Sequence, residues 1–289
     1  MDYLNNNIAS DLLRKIEAEV ALINQNYLSS SAGCPKDDIF ELLEKVGTLI
    51  FYPIEENLLW GIYVNKNEKH YFIINSGISM EKQVFAAAHE LAHSLEIAKV
   101  KFEVVTADLM TEYVNHKDFG EKLKKADIIA NRFAAELLVG AKQLREKYSE
   151  LLNISSNAAK AVILSDLFLV PYRTIVKRLR ETELISENEL VKLLDISDDI
   201  IIEHLSERYE CRRRNLEITN EIRLGGYVNK ALTLYEEDLC SFNELESRLS
   251  LLKKTPEDYN IFDDGFDVYD YLRRESTSKG LEDDNDADL

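Results

Sequence analysis

The residues able to do chemistry lie in one string, Ala86-Ala87-Ala88-His89-Glu90-Leu91-Ala92-His93. Histidines four residues apart come onto one face of a helix about one turn apart, where both rings can ligate a single zinc ion. Glu90 leans over the same position without being well placed to bind the ion. A carboxylate there can take a proton from water that the metal has acidified and return it to a leaving amine. The bland alternative is a pair of surface histidines on an ordinary helix, and the surroundings weigh against it. Val84, Ala88, Leu91 and Leu95 make an apolar stripe at helical spacing, so this helix is expected to be buried on one side. Its consecutive alanines allow another backbone to approach closely.

A catalytic zinc needs a third protein ligand and an open position. Glu96, Asp108, Glu112, His116, Asp127 and Glu136 are the acids and the histidine downstream that could supply it. Asp127 stands out because it lies in a second amphipathic pattern with Asn131 four residues later on the same face. That pair can give one carboxylate to the metal and one side-chain carbonyl to the free ring N–H of a ligating histidine. Glu112 and His116 form a competing i, i+4 pair, and Asp127 could equally be a solvated acid at a helix start. Glu136 points elsewhere on the wheel and reads as a packing or salt-bridge residue. Tyr113 and His116 are the possibilities for stabilising an oxyanion.

These side chains need a scaffold. Residues 10–28 and a short run from Asp37 have helical spacing, whereas Thr48–Tyr52, Leu59–Val64 and His70–Ile74 are rich in Ile, Val, Tyr and Phe and read as a small antiparallel sheet. From Met80 the period is helical: 80–98, about 121–139 stopped by Gly140, 142–153, 156–168, 171–183 and 187–194. Further amphipathic helices in 198–254 are interrupted at Gly225-Gly226. The expected fold is α+β and mostly helical. Its expected divisions are an N-terminal helix (1–36), a metallopeptidase core (37–153), a helical pair with a helix-turn-helix look (154–196), a C-terminal helical region (197–255) and an acidic tail (256–289).

The chain has 289 residues, 45% of them hydrophobic, and a formal charge of −18, which disfavours a non-specific grip on nucleic acid or an anionic membrane. Twelve acids against three bases after residue 256 account for half of that charge, so the tail is expected to be solvated. Cys34, Cys211 and Cys240 are far apart and offer neither a disulfide framework nor a thiolate cage, which fits a reducing cytoplasm. No segment is apolar for long enough to span a membrane, and the first thirty residues lack a signal-peptide core.

With these residues in view, the chain resembles the ImmA/IrrE family of zinc metallo-endopeptidases, which have a zincin-like core. The likeness rests on Phe85–His93 after strands ending in Ile73-Ile74-Asn75, and on the string from Asp127 to Leu138, similar to the family's acid-x-x-Ala-Asn-x-Phe-Ala-x-x-Leu-Leu. It covers roughly residues 37–182. Val139-Gly140 replaces the family's usual Met-Pro, and Asp127 stands where Glu is frequent. The resemblance implies His89, His93 and Asp127 as ligands of Zn2+, Glu90 as general base and Asn131 as support. It also implies a protein substrate, namely a helix-turn-helix transcriptional repressor of a mobile element or stress regulon. Arg173, Lys177, Arg178 and Arg180 would be the basic face if the helical pair bound DNA, but the overall acidity favours a pair that packs on the protease. The alternatives are a non-proteolytic zinc-containing regulatory protein and a protease arm of a toxin–antitoxin or phage-defence system.

Overall fold

A computed structural model of the chain describes residues 10–27, 35–56, 58–95, 117–197, 200–201 and 216–262. Two compact units divide it, residues 1–221 and 222–289, each with its own apolar core.

The first unit is built on a small sheet covered by helices. Helix α1 (Ser10–Tyr27) buries Ile16, Val20 and Ile23, the i, i+4, i+7 stripe of its sequence, and α2 (Asp38–Val46) buries Ile39, Leu42 and Leu43. Strands β1 (Thr48–Tyr52), β2 (Gly61–Lys66) and β3 (Lys69–Asn75) follow. Leu49, Phe51, Phe72 and Ile74 alternate into the core, as period-2 patterning demands.

The expected antiparallel sheet is mixed instead, in the order β2-β3-β1. β2 and β3 form a hairpin closed by Asn67 and Glu68 at φ 53° and 62°, the twist-matching turn. β1 runs parallel to β3, from Thr48 opposite Tyr71 to Tyr52 opposite Asn75. The cause is the connection 53–60, which is too long for a tight turn and carries the chain past β3 to the far edge. Fully buried Asn75 holds that connection. Its Oδ1 accepts from the N–H groups of Ile54 and Gly77, both at 2.9 Å, and its amide donates to the carbonyls of Ile54 at 3.1 Å and Leu59 at 2.8 Å.

Helix α3 (Met80–Ser94) carries both histidines and packs on β2, on β3 and most extensively on α4 (Lys117–Leu138). Ala87, Ala88, Ala92, Ala130 and Ala134 are all fully buried, and small side chains of this kind let two helices approach closely. α3 stops four residues short of the expected end. The Ser94 hydroxyl donates to the Leu91 carbonyl at 2.6 Å, and Leu95 turns to an extended conformation.

Helices α5 (Ala141–Glu150), α6 (Asn157–Phe168), α7 (Tyr172–Glu181) and α8 (Glu187–Leu194) complete the unit. α6 and α7 are joined by Leu169-Val170-Pro171, with Leu169 in the left-handed region at φ 56°. Phe168, Ile175 and Leu179 belong to the same core as Phe133 and Ile16, so the residues expected as an N-terminal helix, a metallopeptidase core and a helical pair share one interior.

The expected basic face of α7 is divided, with Arg178 turned inward and Arg173 and Arg180 engaged at the surface. Arg178 is only 1% exposed: its Nε and Nη2 donate to the Val139 carbonyl at 3.1 and 2.9 Å, and it pairs with Glu136 at 2.9 Å and Glu181 at 2.7 Å. Arg132 pairs with the same two acids. Glu136 is thus the salt-bridge residue its position suggested, and the α4 terminus acquires a partner for one of its free carbonyls. Arg180 pairs with Glu187 at 2.7 Å, and Arg173 donates to the Leu194 carbonyl at 2.9 Å.

In the second unit, Gly225 and Gly226 take positive φ, 38° and 67°, and break the chain where the sequence suggested. α9 (Tyr227–Glu236) and α10 (Phe242–Ser250) follow, the latter started by a capping box of Ser241 and Glu244. Ala231, Cys240, Leu245 and Leu249 form the core, and Tyr259 and Ile261 pack against it. The first residues of the expected tail are therefore structured, whereas 263–289 lie outside the described residues, as do Cys34 and Cys211. Removing residues 276–289 should shift stability by no more than about 0.5 kcal/mol. Thermal unfolding checks this, and a large fall would show that the acidic segment is packed. Among the described residues no helix is long and apolar enough to cross a membrane.

Candidate metal centre

Three donor atoms converge between α3 and α4. His93 Nε2 lies 3.1 Å from His89 Nε2 and 3.5 Å from Asp127 Oδ1, and His89 Nε2 lies 4.0 Å from the same oxygen. Ligands held tetrahedrally at ~2.0–2.2 Å from one ion sit about 3.3–3.6 Å apart. The observed triangle straddles that range, so the group could hold a metal ion. Helical geometry supplies the first side, because His89 and His93 are one turn apart on α3. Packing supplies the rest, because only the seating of α3 on α4 brings Asp127 to them.

The ring orientation suits ligation. His89 Nδ1 and Asn131 Oδ1 are 3.1 Å apart. Donation of the Nδ1–H to that carbonyl oxygen leaves Nε2 unprotonated and facing the other two donors. Burial, then the neighbouring His93, push the His89 pKa down to about 4, against the opposing pull of Asp127 and Asn131. The ring is neutral, and hence a competent ligand, across the physiological range. The two histidine side chains are each 18% exposed and Asp127 is 56% exposed, so one side of the triangle opens to solvent. An open position is what a catalytic centre needs and a structural one lacks.

Glu90 is only 7% exposed and belongs to the buried polar groups of the core. Burial, helped by Asp127, lifts its pKa to about 7, while His93 and the backbone N–H of Tyr63 pull the other way. Such a carboxyl can exchange a proton near neutral pH, as a general acid–base group must.

Sequence reasoning brought His89, Glu90, His93, Asp127 and Asn131 together, and the structure places all five at one locus. Glu96, Asp108, Glu112, Tyr113 and His116 lie outside the described residues. Gly61 and Tyr63, which border Glu90, are contributors the motifs do not single out. The one signal that could have revealed them is a glycine inside an apolar β-run, which marks a close backbone approach. Compared with protein-family models and with curated proteins, the chain matches none.

Proposed function

We propose that the protein is a cytoplasmic zinc-dependent endopeptidase of the ImmA/IrrE kind that cuts a helix-turn-helix transcriptional repressor. The observation that carries this reading is the convergence of His89 Nε2, His93 Nε2 and Asp127 Oδ1 beside a buried carboxyl, Glu90. Two imidazoles and one carboxylate make the donor set of many catalytic zinc sites, and the three atoms lie close enough together to hold one metal ion. Zinc held there supplies Lewis acidity toward water and the scissile carbonyl.

The chain's own residues do the remainder. Glu90 accepts a proton from the attacking water and delivers it to the departing amine. Asn131 keeps the His89 ring in the ligating tautomer. β2 is the edge strand of the sheet, and β-pairing of an extended substrate along it gives main-chain affinity without demanding one side-chain sequence. The Lys66–Lys69 pair closes the hairpin, so hydrogen-bonded pairs recur at Val64 and Ile62, and Gly61, Tyr63 and Asn65 turn their backbone groups outward. The Tyr63 N–H acts on Glu90, which leaves the other outward backbone groups of Gly61, Tyr63 and Asn65 for a substrate. Direct DNA binding through α7 is not part of this reading, because Arg178, Arg180 and Arg173 are engaged within the protein.

Co-expression with each repressor encoded beside the gene, followed by mass spectrometry, tests the proposal. A cut repressor is expected with the wild type, and Glu90→Gln should lower its formation by roughly 10²–10⁴-fold while keeping the metal. Equal cutting by Glu90→Gln would sink the proteolytic account. Biological output that persists with no cutting would favour a regulatory protein that grips its partner.

A further inference from the structure

Gly61 opens β2 directly against the side chain of Glu90. A Cβ at this position would stand 2.9 Å from Glu90 Cγ, closer than real Cβ contacts come, and 3.0 Å from Oε1 and 3.3 Å from Cδ, tighter than most of them. Backbone conformation does not explain the glycine, because the positive-φ glycines among the described residues are Gly225 and Gly226. Nor can Glu90 yield at little cost. It is buried, Cγ is the middle of its side chain, and the backbone N–H of Tyr63, two residues further along the same strand, acts electrostatically on its carboxylate. Upstream, Trp60 is fixed as well: its carbonyl accepts from the Asn75 N–H at 3.0 Å, and its ring meets Phe85 of α3 edge-on at 6.3 Å. The strand start therefore has little freedom to back away.

We infer that Gly61 is a positioning residue for Glu90, forming with the Tyr63 amide a backbone cradle that sets where the carboxylate sits beside the His89–His93–Asp127 group. The absent side chain admits the carboxylate stem, and the amide acts on its end. An added methyl displaces the carboxylate from the amide, without touching any of the three donor atoms. The assignment of Glu90 as proton carrier rests on the proposed protease function. The steric and electrostatic cradle does not.

A double-mutant cycle on the full chain tests it. Gly61→Ala, Glu90→Ala and the double variant are compared by denaturant midpoint, by bound zinc per chain, and by the Tyr63 amide resonance in labelled protein. The expected result is that Gly61→Ala lowers the midpoint when Glu90 is present and has no effect on it in the Glu90→Ala background, since residues in direct contact are non-additive. Gly61→Ala should also move the Tyr63 amide toward its position in Glu90→Ala, with zinc content unchanged. If Gly61→Ala alone does not fold, recovery of folding in the double variant gives the same answer. Equal midpoint shifts in both backgrounds, failure of both alanine variants to fold, or an unmoved Tyr63 amide would overturn the cradle. Where repressor cutting is seen, Gly61→Ala should lower kcat by about 10²-fold at unchanged KM, the usual effect of a misplacement on the order of 1 Å. A wild type that cuts no repressor argues against the protease reading alone, because the cycle is scored without catalysis.

Discussion

Asp127→Ala is expected to strip most of the zinc from purified protein, whereas Asp127→Glu should largely keep it. The geometry behind this is a triangle with two sides ending on Asp127 Oδ1, at 3.5 and 4.0 Å from the histidine nitrogens. Without that oxygen the two imidazoles cannot complete the usual three-ligand set. Loss of an outer hydrogen-bond partner alone weakens metal affinity by ~10–100-fold, so loss of a ligand should exceed that. Glutamate is one methylene longer and on the open side of the site, where Asp127 is 56% exposed, so the extra length can be taken up. Metal analysis of dialysed protein at a fixed free-zinc concentration reads the difference. Equal zinc in Asp127→Ala and wild type would remove Asp127 from the ligand set and return attention to Glu112 and His116.

Arg178→Ala should be among the most destabilising single substitutions in the first unit, at about 3–5 kcal/mol. The guanidinium is almost wholly buried, it donates to the Val139 carbonyl from two nitrogens, and it faces Glu136 and Glu181 together. Truncation leaves a buried carbonyl without its donor and concentrates two carboxylates on Arg132. Arg178→Lys keeps a charge but cannot reproduce the planar fork, and an intermediate loss is expected. Denaturant unfolding at neutral pH measures all three proteins. A cost of less than about 1 kcal/mol for Arg178→Ala, the level of an exposed ion pair, would show that the network contributes little.

That arginine also marks where linear reasoning falls short. In the sequence, Arg173, Lys177, Arg178 and Arg180 look like one cationic patch, and nothing local says which of them turns inward. The decision belongs to α4, whose terminal carbonyl at Val139 and whose Glu136 wait on the other side of the contact. The sheet shows the same limit. Strand positions follow from apolar alternation within two residues, yet the pairing of β1 with β3 goes with Asn75 binding four backbone groups of the distant 53–60 connection and the N–H of nearby Gly77.

The candidate metal site divides along the same line. The placement of His89 and His93 on one face, with Glu90 between them, follows from 3.6 residues per turn and was legible in the sequence alone. The i, i+4 spacing of Asp127 and Asn131 was equally legible, because a helix imposes it locally. That Asp127 reaches the histidines and that Asn131 reaches the His89 ring depend on how closely two alanine-lined helices approach, which is a property of their packing. The Gly61 contact with Glu90 is further removed still, joining a strand to a helix through a sheet whose order the sequence did not reveal. Periodicity is written residue by residue, whereas the distance between elements is set by every side chain that fills the space between them.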